Sequence, residues 1–261
     1  MGPHVEQEGD SDRYRAPALD KGLDIIELLS ATDGGLTQAE IAKGMGHKAN
    51  EFYRMLDRLL KRGYVTKEEG GKYALTLKLF GLAQLHTPVR RLASYATPLM
   101  RDLAERSRQA NHLAVFDRGS PVVIAQQEAP GYWGVSIRVG SHISLFDTGS
   151  GHVLLAFRSP EERRLMVSEY VGHSGSNPLT PDLSERLDRI QARGYEKMAS
   201  TQTAGVYNLS APVLGADRRA MAVLSCPYIP FIDAVSAPGI DMTVAMLQET
   251  ATELSRLAGC S

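Results

Sequence analysis

The chain is predicted to fold as two units of different class, a small helical unit closed by a hairpin and a larger α+β unit. Three features of the 261 residues point there. The first quarter holds three short helical patterns followed by a Gly-Gly hairpin. The second half alternates hairpin-spaced β runs with amphipathic helical runs, and a helical stretch separates the two parts. The expected boundaries are 1–12 for a flexible lead-in, 13–76 for the first unit, 77–91 for a linker helix and 92–261 for the second unit.

Taken in order, "APALDKGLDIIELLS" places Leu19, Leu23, Ile26 and Leu29 on one helical face, closed by Gly34-Gly35. Thr37 stands three residues before Glu40, a capping-box spacing that starts a second helix. Gly44 and Gly46 then turn the chain into a third helix. Its Phe52, Met55, Leu56, Leu59 and Leu60 recur as a core-facing stripe, while Arg54, Arg58 and Lys61 repeat on another face. "YVTKEEGGKYALT" reads as strand, turn, strand.

From Leu77 to Gln109 the pattern is helical, broken at Pro88 and marked by Pro98. "HLAVFD" and "VVIAQQE" form a hairpin around "RGSP", and "WGVSIRV" reads as a further strand. "TGSGHVLLAF", "PEERRLMVSEYV" and "PDLSERLDRIQARG" are helical, "GYEKMAS" is a strand, and "YNLSAPVLGADRRAMAVLSC" is another hairpin. The long amphipathic "IDMTVAMLQETATELSRLA" closes the chain. Hairpin strands with helices between them predict a sheet with helices on one side.

The charge is uneven. The whole chain is near neutral, with 29 Lys+Arg and 30 Asp+Glu, yet residues 43–67 carry seven basic and two acidic side chains. That window is +5, and the remaining 22 basic and 28 acidic residues leave −6 elsewhere. Two helices joined by a Gly-containing turn, the second basic outside and apolar inside, make a helix-turn-helix, and the added hairpin makes it winged. Docking in the major groove of double-stranded DNA needs such a helix, its back fixed to a core and its front facing phosphates and base edges. Lys48, Arg54 and Arg58 are the expected contacts, with Asn50 and Tyr53 on the same face near the helix start. Lys61 and Arg62 sit where cations suit a helix C-terminus.

Other classes find little support. No uncharged apolar run approaches the ~18–20 residues that cross a bilayer, and the start lacks the apolar core of a signal peptide. Cys226 and Cys260 form no CxxC, so neither a disulfide framework nor a zinc site is expected, and a reducing cytoplasm is. Phosphate-loop, dinucleotide, HExxH and G-x-S-x-G patterns are missing, and no cofactor or metal is expected. The histidines at 112, 142, 152 and 173 are scattered and read as hydrogen-bonded or solvated. The alternative left standing is an enzyme or ligand carrier whose winged helix mediates protein contacts. Thr148-Gly149-Ser150-Gly151 precedes an apolar helix, and two readings are open there: an ordinary N-cap with glycines for tight packing, or a helix start that binds an anion.

The order of motifs resembles the IclR family of bacterial transcriptional regulators over nearly the whole chain after Arg13. In the first unit these are "ALDKGLDIIELL", "LTQAEIAKGMG", "FYRMLDRLLKRGYV" and "GKYALTLKLFGLA". In the second they are "ATPLMRDLAERS", "DTGSGHVLLAF", "RGYEKMAS" and "LSAPVLGADRRAMAVLS". The resemblance implies an N-terminal winged helix-turn-helix, a linker helix and a C-terminal GAF/PAS-like effector-binding domain, in a homo-oligomer that is a dimer or a dimer of dimers. It implies a regulator answering to a small molecule; the donors at the Thr148–Gly151 helix start make a small organic acid the expected effector, and a catabolic operon is the expected target. It also favours ligand binding at Gly149 and Ser150, with Tyr132, Val135 and Val206 lining a pocket and Asn208, Ser210 and Ser225 offering polar groups. Trp133 would add an aromatic wall and Arg138 a charge partner. Two departures stand out. Asn50-Glu51 replaces the family's usual Ser-Thr pair, and its glutamate would repel phosphate or accept from cytosine N4. Asn208 stands where a cysteine is frequent.

Overall fold

A computed structural model describes residues 16–85, 87–131, 134–174, 179–231 and 237–259. The lead-in expected at 1–12, and Tyr132 and Trp133, lie outside them. The chain divides into two compact units, Met1–His86 and Thr87–Ser261. This division falls inside the expected linker, because two helices occupy that stretch. Helix α4 (Lys78–Gln84) belongs to the first unit, and α5 (Thr87–Ser107) opens the second.

The first unit contains α1 (Pro17–Ser30), α2 (Gln38–Met45), α3 (Ala49–Lys61) and the wing strands β1 (Val65–Lys67) and β2 (Tyr73–Leu75). The side chain of Thr37 accepts the Glu40 N–H while Glu40 Oε2 accepts the Thr37 N–H, so the expected capping box starts α2. Gly46 ends that helix at φ 64°, a left-handed position that suits glycine. Ile25, Leu29, Ile41, Phe52, Leu56, Val65 and Tyr73 form the core. The expected stripe on α1 is corrected in part: Leu29 is buried as expected, but Leu19 and Leu23 are 61% and 48% exposed, and Ile25 is buried in place of the expected Ile26. The core closes around the second half of α1, so apolar residues in its first half stay outside it. β1 and β2 pair antiparallel, Thr66 opposite Ala74, and Leu36 bridges to Tyr73 on the other edge of β2.

The second unit is built on a five-stranded antiparallel sheet. Its strands are β3 (Asn111–Asp117), β4 (Ser120–Gln127), β5 (Glu196–Ala199), β6 (Tyr207–Leu214) and β7 (Ala220–Tyr228), in spatial order β4-β3-β7-β6-β5. The helices are α5, α6 (Gly149–Ala156), α7 (Pro160–Ser174), α8 (Pro181–Arg193) and α9 (Ile240–Gly259). They cover both faces of the sheet, not one as expected. Leu113, Leu209, Ala211 and Leu224 pack on α5 and α9, while Ala114, Val123 and Val223 pack with α6, α7 and α8. The cause lies in β3 and β7: neighbours such as Leu113 and Ala114, or Val223 and Leu224, are apolar and point to opposite faces, so each face needs cover.

The expected strand at "WGVSIRV" does not form among the described residues. The edge of β4 is met farther on, where Gly140 N–H donates to Val123 O and Ile143 N–H to Pro121 O. Alternating apolar residues show which side of a segment is buried, and not whether an edge is there to pair with.

Candidate nucleic-acid interface and ligand site

Helix α3 is held by its back. Phe52 and Leu56 are buried, and Met55 and Leu59 pack against the same core. On its front, Lys48, Asn50, Tyr53, Arg54 and Arg58 are all exposed. Among the described residues neither Arg54 nor Arg58 has an acidic partner, so both charges face solvent. Lys61 pairs with Asp57 at 2.9 Å, and Arg62 lies over the Tyr64 ring at 5.8 Å.

Glu51 is tied to the start of α3. Its Oε1 accepts the Lys48 backbone N–H at 3.3 Å, and its Oε2 lies 3.4 Å from Lys21 Nζ and 3.3 Å from His47 Nδ1. The Lys48 N–H first, and then Lys21 and His47, hold the carboxyl below its usual range. The carboxylate thus serves its own helix start, with the side chain still 40% exposed.

In the second unit the start of α6 lies over the middle of the sheet. Thr148 caps it, accepting the Gly151 N–H at 3.1 Å and donating to Ser144 O at 2.6 Å. The amides of Gly149 and Ser150 have no acceptor within the helix. A Cβ at Gly149 would stand 2.8 Å from Ser210 Oγ and 3.4 Å from Asn208 Cβ, so only glycine lets the helix approach β6 this closely. Ser150 Oγ lies 2.8 Å from Ser225 Oγ, which lies 2.8 Å from Ser210 Oγ, and all three are buried.

The structure thus brings Gly149, Ser150, Asn208, Ser210 and Ser225 together. Val206 is buried just before β6 and Val135 is half-buried, but no described contact joins either to the serines. Arg138 is exposed. Tyr132, expected on the pocket wall, lies outside the described residues.

One expectation is corrected and one residue is new: His112, expected to be hydrogen-bonded or solvated, is neither among the described residues, and Glu196 carries no signal in the sequence. His112, on β3 opposite Ser225 of β7, is buried, and neither ring nitrogen has a hydrogen-bond partner among the described residues. Burial pushes its pKa down to about 4, so the ring is neutral at pH 7. Glu196, at the sheet's far edge, is buried beside Arg186 (3.0 Å) and Arg193 and accepts the Lys197 N–H at 2.8 Å. Burial alone would raise its carboxyl. His152, Arg186, Arg193 and the Lys197 N–H outweigh it and hold the carboxyl below the usual range. His152 Nδ1 stands 3.5 Å from Glu196 Oε2. His152 Nε2, 2.6 Å from Phe146 O, must carry a proton because a carbonyl only accepts. No spacing rule marks either residue. The strand register is what places them.

Burial also pushes the Cys226 thiol up to about 12, which leaves it unreactive. Among the described residues no cluster of three His, Cys, Asp or Glu is placed to hold a metal, and no helix is long and apolar enough to cross a membrane.

Comparison with known proteins gives the same two-part order. Residues 18–69 match the IclR helix-turn-helix domain, and residues 86–256 match the bacterial transcriptional regulator IclR C-terminal domain. The HTH-type transcriptional regulator KdgR of Dickeya chrysanthemi is 30% identical over 231 residues, covering 84% of this chain and 73% of that protein. KdgR of Escherichia coli K12 is 29% identical over 229 residues, 84% of each chain. Among solved structures, an IclR homolog from Microbacterium hydrocarbonoxydans complexed with 4-hydroxybenzoate superposes with TM-score 0.76 at 21% identity, over 94% of this chain and 100% of that one. The Thermotoga maritima IclR gives 0.70 at 23% identity, over 92% and 98%. At these identities the solved structures establish the shared fold. The family domains, matched in order across most of the sequence, and the exposed basic face of α3 agree: the chain belongs to the IclR family and is a DNA-binding transcriptional regulator, not an enzyme.

Proposed function

We propose that this regulator controls a catabolic operon, reading a palindromic operator through α3 and answering to a small organic acid held at the start of α6. Lys48, Asn50, Tyr53, Arg54 and Arg58 make the DNA contacts, and Gly149, Ser150, Asn208, Ser210 and Ser225 the effector contacts, with Tyr132, Val135 and Val206 as walls. The carrying observation is the buried hydroxyl cluster of Ser150, Ser210 and Ser225 beneath a helix start whose first amides lack intrahelical acceptors. Serine hydroxyls and amide donors suit an anion without fixing its shape. A solved neighbour of the same fold is complexed with a carboxylate, 4-hydroxybenzoate, which supports this ligand class.

A palindromic operator calls for a two-fold protein. In the first unit Leu19 and Leu23 of α1 and Phe80 and Leu82 of α4 are exposed, apolar surface suited to self-association as a dimer or dimer of dimers. Such a protein works in the cytoplasm, where its DNA is.

The test is a thermal-shift screen of carboxylates, 4-hydroxybenzoate included, followed by gel shift on the gene's own upstream DNA. An acid at 100 times its dissociation constant should add about 2.7 kcal/mol of stability and alter operator binding. Stabilisation only by neutral or cationic compounds, or acid binding that survives Ser150→Asp, would place the effector elsewhere.

A further inference from the structure

Cross-strand pairing sets five polar side chains in one row on the α6 face of the sheet. They are Gln126 on β4, His112 on β3, Ser225 on β7, Ser210 on β6 and Glu196 on β5, each opposite the next. Four have partners. Gln126 donates to Glu128, the two serines bond to one another, and Glu196 holds its arginines. His112 is the exception, 4% exposed with both ring nitrogens unpartnered among the described residues. It adjoins Ser225, whose hydroxyl touches Ser150 in the first turn of α6. An imidazole buried this deeply with neither nitrogen satisfied is costly unless something else supplies the bonds.

From this we infer that His112 reads a hydroxyl group on the acid bound at the start of α6, which makes it a specificity-determining residue of that site. The inference rests on the effector site proposed above and adds the ligand's second functional group. A neutral imidazole has one N–H donor and one lone-pair acceptor. A carboxylate only accepts, so it satisfies the N–H and leaves the lone pair bare. A single hydroxyl reaches one ring nitrogen, and where that is the lone pair it donates the O–H that a carboxylate lacks, keeping its own lone pairs for the row's serines. The carboxylate then lies at the Gly149 and Ser150 amides and the hydroxyl at His112. The ring stays neutral through the physiological range because burial keeps its pKa near 4, so it does not turn into a second carboxylate-binding cation. Gln126 and Glu128, beyond His112 in the row, are already bonded to each other and do not compete for the ring.

Three matched pairs of acids separate the possibilities: 3-hydroxybutyrate and butyrate, gluconate and hexanoate, 3-hydroxybenzoate and benzoate. Dissociation constants are measured by calorimetry on the full-length protein. In at least one pair the hydroxy acid should bind about tenfold or more tightly, since a site built to bond a hydroxyl rejects the analogue without one. In His112→Leu that ratio should fall to within about twofold, and His112→Gln, which keeps a donor and an acceptor, should retain part of it. If these variants fold poorly, nitrogen NMR of the native protein serves instead, with the His112 lone-pair nitrogen shifting on addition of the hydroxy acid and not of its partner. Equal binding within every pair, or discrimination that persists in His112→Leu, overturns the hydroxyl inference and leaves the acid site standing. If none of the six acids binds, both fall.

Discussion

Glu51 Oε1 accepts the backbone N–H of Lys48 at 3.3 Å, which turns the one acidic side chain at the front of α3 back onto the helix's own start. Its other oxygen faces Lys21 and His47. Glu51→Ala should therefore lower the melting temperature of the first unit and leave the base preference of the operator unchanged. The pH dependence has a definite sign. The folded carboxyl titrates below its ordinary value, so its stabilising effect is full above that value and is lost as pH falls through the lowered one. Melts of native and Glu51→Ala protein should converge in acid. A change in operator sequence preference would instead return Glu51 to the DNA.

Arg54 and Arg58 carry charge that no described acid neutralises. Replacing either with alanine should weaken operator binding by about 1–3 kcal/mol where the guanidinium reads a guanine. Where it touches phosphate, the loss should be uniform across sequences and the salt dependence shallower by about one ion. Fluorescence anisotropy at several salt concentrations distinguishes the two. Full affinity in both variants would remove α3 from the interface.

Glu196 is buried with two arginines and a histidine around it. Glu196→Gln leaves Arg186 and Arg193 facing a neutral amide. The expected loss is about 3 kcal/mol, the low end for breaking a buried pair, because Arg186 and Arg193 are partly solvated. The native carboxyl is lowered, so this stabilisation too is present above the ordinary carboxylate pKa and disappears as pH falls through the folded value. Urea melts across the acid range should show the native protein losing stability faster than the variant.

Arg118 and Gly119 join β3 to β4 with φ of 38° and 88°, the two positive values of a type I′ turn. Arginine tolerates that conformation poorly, and asparagine tolerates it well. Arg118→Asn should stabilise the second unit by about 0.5–1 kcal/mol, part of the ~1–2 kcal/mol left-handed cost. The Arg118 side chain is nearly fully exposed, so little packing is lost. A lower denaturation midpoint would mean the turn is not limited by this strain.

Local spacing made much of the molecule legible. The Thr37 capping box, the Gly46 helix end, the α3 stripe with its basic front, and the hairpins of β3–β4 and β6–β7 follow from neighbours a few residues apart. Such neighbours share a face through the 3.6- and 2-residue periods alone. Motif order over the whole chain added the family.

Contacts between distant segments were not legible in this way. Which half of α1 meets the core, whether helices cover one face of the sheet or two, and whether "WGVSIRV" finds an edge all depend on packing partners far along the chain. The polar row shows the difference most directly. Ser150, Ser210 and Ser225 follow from the family resemblance, but His112 and Glu196 join them only through the register of four strands. By itself, then, the sequence determined most elements, their order and the helix with a basic front, because those rest on local periodicity and charge. Tertiary structure alone decided which polar groups meet beneath α6 and which of them has no partner among the described residues, because strand register is set by the whole sheet.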